Sequence, residues 1–437
     1  MKILLKNMNL ITSDTAQMYI KGANIGIEDG YISFIGASGE SKSGFVPDRI
    51  IDGANKLAMP GLVNTHTHCA MTLLRNFAND LALQEWLFNR VFPAEAKLTD
   101  EAVYWGTLLG IAEMIKTGTT AFADMYLHMG MVANAVAQSG IRANLSISPL
   151  KFNAGEKHET IDETPLCNEF YNKWNSYDNG RIKVFIEVHS AYLFNTAQLK
   201  EAAQLAKSLN TGIQIHILET ELEREETIKT YGVDSAEICY KCGIFDVPVV
   251  AAHCVYLSDD DIELFGERQV NVSHNPSSNL KLGSGIARVP YLLERGINVS
   301  IGTDGAASNN NLNMFEEMHI AALLHKGINR DPSVVSAGQA IRMATVNGAK
   351  AIGFGSETGC IKEGMKADII ILDIEKPHLC PVNDPLAAVV YSAQGSDVDT
   401  VIVDGKILME NRELKTLDEE KIIYKVRKLS EGLLGIS

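Results

Sequence analysis

From about residue 60 onward the 437-residue chain repeats one theme: a short apolar strand, a polar loop, an amphipathic helix, then Gly or Asn before the next strand. Eight strand candidates follow that rhythm: 57–66, 119–125, 142–148, 182–190, 211–218, 247–255, 269–275 and 297–305. Helical patterns such as 98–118 and 196–210 lie between them. Alternation of this kind, with strands apolar along most of their length, forces a parallel sheet covered on its outer face by helices. Eight units predict an α/β fold of the distorted (β/α)8, TIM-like type. An open doubly wound sheet is the alternative, but no strand leads into a G-x-G-x-x-G turn.

Both ends depart from the theme. Residues 1–56 and 357–437 are rich in strand and turn sequence, with DG and KG turns, and are expected to pair as one discontinuous β-sandwich domain beside a barrel of residues 57–356. A helical tail, LDEEKIIYKVRKLSEGLL, ends the second segment.

The net charge of -15 leaves no basic excess for phosphates, so neither nucleic acid nor an anionic membrane is the expected partner. Small molecules are, and a homo-oligomer is compatible with the composition. The N-terminal apolar run is broken by Lys6, Asn7 and Asn9 and reads as a strand rather than a signal peptide. No apolar stretch approaches the roughly 18 residues of a membrane span. Seven scattered cysteines suit reduced thiols and a cytoplasmic location. Cys239 and Cys242 sit inside a helical pattern with no second pair, which argues against a zinc or redox role.

In such a barrel the chemistry gathers at the C-terminal ends of the strands. His66 and His68 end the first strand, and residues two apart on a strand project to the same side. His189 lies on the fourth, His216 on the fifth with Glu219 just beyond, His253 on the sixth, His274 on the seventh, and Asp304 ends the eighth. An isolated strand-end histidine is ordinarily structural. Together, His66, His68, His216 and Asp304 supply three imidazoles and a carboxylate, a set suited to Zn2+ or Fe2+ with room for a water. A metal brings such a water to a pKa of about 7, so the expected chemistry is hydrolytic.

The blocks PGLVNTHTH, HILE (216–219), AHCV (252–255), SHNPSSNLKL (273–282) and GTDGAASNN (302–310) resemble the amidohydrolase superfamily, and within it the 5'-methylthioadenosine/S-adenosylhomocysteine deaminases. The resemblance spans essentially the whole chain. It implies one divalent metal, Zn2+ first with Fe2+ or Mn2+ as alternatives, held by His66, His68, His216 and Asp304. The fourth strand agrees: it reads IEVHS, without the lysine that bridges two metals in binuclear relatives. By the same resemblance Glu219 shuttles protons while hydroxide attacks C6 of an adenine ring, and His253 and Asp304 orient that hydroxide.

For the purine nucleoside substrate, the resemblance places Glu95 against the ribose hydroxyls, the alternative being an acid at the start of a helix. His189 is expected to bond the substrate, and Trp86 either walls the pocket or packs in the core. The region after the third strand, where the family places arginines for an amino-acid carboxylate, offers only Lys151 and Lys157, while Arg142 and Arg181 read as strand-start residues. Substrates with a small or apolar 5' group (5'-methylthioadenosine, 5'-deoxyadenosine, adenosine) are therefore expected over S-adenosylhomocysteine. The competing readings are a triazine hydrolase or a guanine or pterin deaminase and, in another class, a scaffold without catalysis. Glu219 and His253 beside four intact ligands speak against the scaffold.

Overall fold

The computed structural model describes residues 1–150 and 163–435. Strands β1 (Lys2–Ile11), β2 (Tyr19–Glu28), β3 (Tyr31–Ala37), β4 (Arg49–Asp52) and β5 (Lys56–Pro60) come first. The barrel strands follow: β6 (Leu62–Thr67), β7 (Thr119–Met125), β8 (Arg142–Ile147), β9 (Ile182–Ser190), β10 (Ile213–Ile217), β11 (Val249–His253), β12 (Asn271–His274) and β13 (Val299–Ile301). After them come β14 (Ile369–Asp373), β15 (Val398–Val403), β16 (Lys406–Glu410) and β17 (Glu413–Leu414).

Strands β6 to β13 pair in sequence order, all parallel, as expected of a (β/α)8 barrel. No ladder joins β13 to β6. The seam is closed instead by single bonds: the Asp304 N–H donates to the His66 carbonyl at 2.9 Å, and Thr65 Oγ1 donates to the Ile301 carbonyl at 3.0 Å. The barrel is thus nearly closed, and the distortion lies at the strand pair that carries His66, His68 and Asp304.

The expected first barrel strand, 57–66, is two strands. β5 pairs with β1 and β14 in the terminal sheet, and the chain crosses at Gly61 into β6. A Cβ at Gly61 would fall 2.0 Å from Thr120 Oγ1, so only glycine permits the crossing. A continuous apolar run does not reveal that its residues serve two sheets.

The terminal strands form one mixed sheet in the order β17-β16-β15-β14-β5-β1-β2-β3, with β4 beside β1. It is a β-sandwich with its own core, in which Ile3, Leu5 and Ile25 from one end of the chain meet Ile369, Ile371 and Ile402 from the other. The helix Glu419–Leu434 buries Ile422 and Val426 and packs instead on the barrel helix Asp100–Lys116, where Lys116 pairs with Glu419 at 2.8 Å. Thr99 accepts from the Ala102 N–H, and Ser258 and Asp261 form a reciprocal capping box.

Candidate metal centre and active site

His66 and His68 project from the end of β6 to the same side, and their rings stand edge to face with centroids 4.9 Å apart. His68 Nδ1 lies 2.6 Å from the Met125 carbonyl, and His216 Nδ1 lies 2.7 Å from the His189 carbonyl. A carbonyl only accepts, so each Nδ1 carries the proton and each Nε2 presents a lone pair. Those two Nε2 atoms face each other at 3.3 Å, and His68 Nε2 is 3.3 Å from Asp304 Oδ1. His66 Nε2 is 3.6 Å from the same oxygen and, although buried, has no hydrogen-bond partner. Two lone pairs, the unpartnered His66 Nε2 and a carboxylate oxygen converge. That arrangement is unfavourable alone and fits a divalent cation.

The charge states agree. Burial pulls His66 and His216 well below the ordinary imidazole pKa, so both are neutral, as ligands must be. Burial works against an ionised Asp304, but His66, His68 and His253 around it and the Ser278 hydroxyl hold it below the usual carboxylate range. Asp304 Oδ2 accepts from Ser278 Oγ at 2.6 Å and Ser308 Oγ at 2.9 Å, while Oδ1 accepts the Gly305 N–H at 2.7 Å. The carboxylate is fixed from behind. Gly302 lets this segment approach: a Cβ there would lie 2.8 Å from the His66 nitrogen and 2.6 Å from Asn275 Oδ1.

His253 shares this space, its ring 5.4 Å from His66 and 5.5 Å from His216. One ring or carboxylate atom from each of His66, His253 and Asp304 lies within 4.8 Å of the others, as do those of His66, His68 and His216. His253 Nδ1 bonds Asn279 Oδ1 at 2.8 Å, which leaves Nε2 facing Glu219 Oε2 at 3.8 Å. Burial opposes a charge on His253, but Glu219 and Asp304 outweigh it and raise its pKa. Glu219 is itself buried, and the loss of solvent pushes its carboxyl up to about 7 against the pull of His253. Such a group can give and take a proton near neutral pH.

A family model described as the amidohydrolase family matches residues 57–408. The chain belongs to this family. Among amidohydrolase relatives, a 5-methylthioadenosine/S-adenosylhomocysteine deaminase of Acetivibrio thermocellus is 60% identical over 434 residues, covering 99% of this chain and 100% of the relative. A 5'-deoxyadenosine deaminase of Methanosarcina mazei is 48% identical over 433 residues, covering 99% and 98%. Among solved structures, an adenosine deaminase of Xanthomonas campestris with bound zinc superposes with a TM-score of 0.95 at 30% identity, covering 99% of each chain.

Beyond the candidate ligands of this amidohydrolase, Glu95 ends the short helix Phe92–Glu95 and is buried; the first-turn acids of the next helix are Asp100 and Glu101. Its Oε1 has no partner, and burial raises its pKa to about 7 although Tyr126 and His68 draw it down. The His189 ring lies tilted beside that of His216, with centroids 4.7 Å apart, between Phe92 at 6.4 Å and Tyr192 at 6.2 Å. Burial lowers its pKa to about 3, so it is neutral. Trp86 is buried within the main hydrophobic core, with its Nε1 unpartnered.

His274 departs from the expected rim. Ser273 and Asn275 point into the barrel, where Ser273 Oγ bonds Thr65 Oγ1 at 2.7 Å and Asn275 approaches His253, so the residue between them points outward. Its Nε2 meets His325 of the outer helix Met314–Asn329 at 3.2 Å. Arg142 and Arg181 are strand-start residues as expected, bonded to Asp368 and to Asp178 and backbone carbonyls respectively. Lys151 and Lys157 lie outside the described residues.

Sequence reasoning passed over Ser278 and Ser308, which bond Asp304, Asn279, which bonds His253, and Glu223, which accepts from the Glu219 N–H. Ser278 and Asn279 fall inside the SHNPSSNLKL block, and Ser308 inside GTDGAASNN, so the signal was present without a role attached.

Proposed function

We propose that this amidohydrolase hydrolytically deaminates an adenosine derivative at C6, releasing ammonia and the inosine analogue. Buried Glu219, facing His253 beside the ligand cluster with a pKa of about 7, is the observation that carries this reading. His66, His68, His216 and Asp304 would hold a single divalent ion, Zn2+ by preference since the 30%-identical neighbour carries zinc. When bound, that ion lowers the pKa of a water to about 7 and so makes hydroxide available.

The side chains divide the remaining work. Glu219 protonates N1 of the purine as hydroxide adds to C6, which keeps negative charge from accumulating on the ring. The Asp304–His253 pair receives the hydroxyl proton of the adduct and passes that same proton to the departing nitrogen, so ammonia leaves while N1 keeps the proton from Glu219. Glu95, with one carboxylate oxygen buried and unpartnered, accepts from the ribose hydroxyls, and His189 donates or accepts at the substrate edge. The preference for a small or apolar 5' group rests on Arg142 and Arg181 being committed to carboxylates and carbonyls of the protein itself. A cytoplasmic location goes with this reading, since the seven cysteines are scattered along the chain without a disulfide-like spacing; among the described residues no helix is long and apolar enough to cross a membrane.

The test is an ammonia-release panel with metal-loaded protein: adenosine, 5'-deoxyadenosine, 5'-methylthioadenosine and S-adenosylhomocysteine, with guanine and a triazine as outsiders. Turnover confined to the adenosine derivatives supports the reading, and silence on all four overturns it. Glu95→Ala is expected to raise the apparent KM about tenfold or more with a smaller effect on kcat.

A further inference from the structure

Strand β10 ends at Ile217, and Glu219 has the wrong strand parity to face the ligands with His216. Leu218 turns the chain, with a left-handed φ of +49°. A leucine in that conformation needs outside support. It comes from Glu223, on the first turn of the helix Glu221–Tyr231, whose N-cap is Thr220. Glu223 Oε1 accepts the Leu218 N–H at 2.9 Å, and Oε2 accepts the Glu219 N–H at 2.9 Å. Ser235 Oγ donates to Oε1 as well, at 2.7 Å. In an ordinary capping box the third helical residue reaches back to the N-cap N–H; here the carboxylate reaches past it to the residue that does chemistry. Glu223 is buried, and three donors converge on its carboxylate.

We infer that Glu223 is a positioning residue that aims the Glu219 carboxylate at the reacting ring. The inference rests on the proposed role of Glu219 as proton carrier. A carboxylate can accept from two backbone N–H groups on separate oxygens; an amide of the same size must turn its NH2 towards one of them. Glu223→Gln therefore releases one side of the turn while leaving the four ligands untouched.

The experiment is a double-variant cycle on metal-loaded protein, using whichever substrate of the panel releases ammonia fastest. Glu223→Gln is expected to lower kcat about thirtyfold, as loss of a supporting hydrogen bond does at other catalytic centres, with KM and metal content within about twofold of wild type. In a Glu219→Gln background the same change is expected to cost less than about twofold, because there is no proton carrier left to aim. Ser235→Ala, which removes one donor and keeps both backbone bonds, gives a smaller loss of kcat with the same cycle behaviour, and carries the test if Glu223→Gln does not fold. Equal losses in both backgrounds, an unchanged kcat, or a loss that tracks metal content would overturn the inference. Absence of adenosine turnover in the wild type strikes only the proposed substrate; a failed cycle in an active enzyme strikes only Glu223.

Discussion

The two ends of the barrel bury charge in opposite ways. At the N-terminal end Arg142, fully enclosed, forms a two-point pair with Asp368 at 2.6 and 3.0 Å, and Asp404 stands 3.8 Å away. Lys366 meets Asp404 at 2.7 Å and Lys183 meets Glu357 at 2.6 Å, so three cations face three carboxylates. At the C-terminal rim Asp304, Glu219, Glu95 and Asp124 are buried near imidazoles and Glu187 is buried near Asp124 and Glu95, and unpartnered oxygens remain on Glu95, Asp124 and Glu187. One end is neutralised by the protein, and the other is left for something the protein must bind. Buried charge that is balanced fixes the terminal sheet to the barrel; buried charge that is unbalanced marks the reactive end.

Substitutions at each end should separate these roles. Asp304→Ala is expected to lower kcat/KM by about a thousandfold or more and to deplete bound metal, measured by ammonia release and elemental analysis, with folding retained. Arg142→Ala should do the reverse: leaving Asp368 buried without its partner costs about 3–5 kcal/mol of stability by denaturant titration, while kcat of the folded fraction holds. Were Arg142→Ala to spare stability and cut kcat, the division between the ends would fail.

A pH experiment sharpens the same contrast. Burial raises Glu95 to about 7, so the folded state holds a proton that the unfolded chain releases near pH 4.5. Its contribution to stability is fully present below pH 4.5 and is lost as pH rises through 7. Metal-free protein is expected to lose on the order of 2–3 kcal/mol from this group between those limits, and Glu95→Gln should flatten that part of the profile. The smallest expected effect is at the support of Asp304. Ser278→Ala removes a 2.6 Å bond to Asp304 and should weaken metal affinity about tenfold to a hundredfold, read by competition with a chelator.

Much of the rim was legible because strand alternation is a strict rule. It put His66 and His68 on one side and, with eight units counted, brought His216 and Asp304 to the same end. The same rule, applied to the neighbours of His274, sends that side chain outward to His325, an outcome legible only once Ser273 and Asn275 are known to line the interior. The aim of Glu219 was not legible, since it depends on a left-handed Leu218 and on Glu223, neither of which follows from periodicity. The switch of sheets at Gly61 was hidden for a similar reason: burial in two different sheets leaves the same apolar pattern.

The seam between β6 and β13 has a consequence for how the enzyme is made. His66 and His68 leave the ribosome early in synthesis, but Asp304, which bonds the His66 carbonyl through its N–H, arrives only after all the intervening units. On the proposed ligand set, a partly synthesised chain therefore lacks Asp304, and metal capture would wait for the last barrel strand to dock. Activity would then begin with closure of the ring, and a chain interrupted before residue 304 is expected to be an inert fragment rather than a weak enzyme.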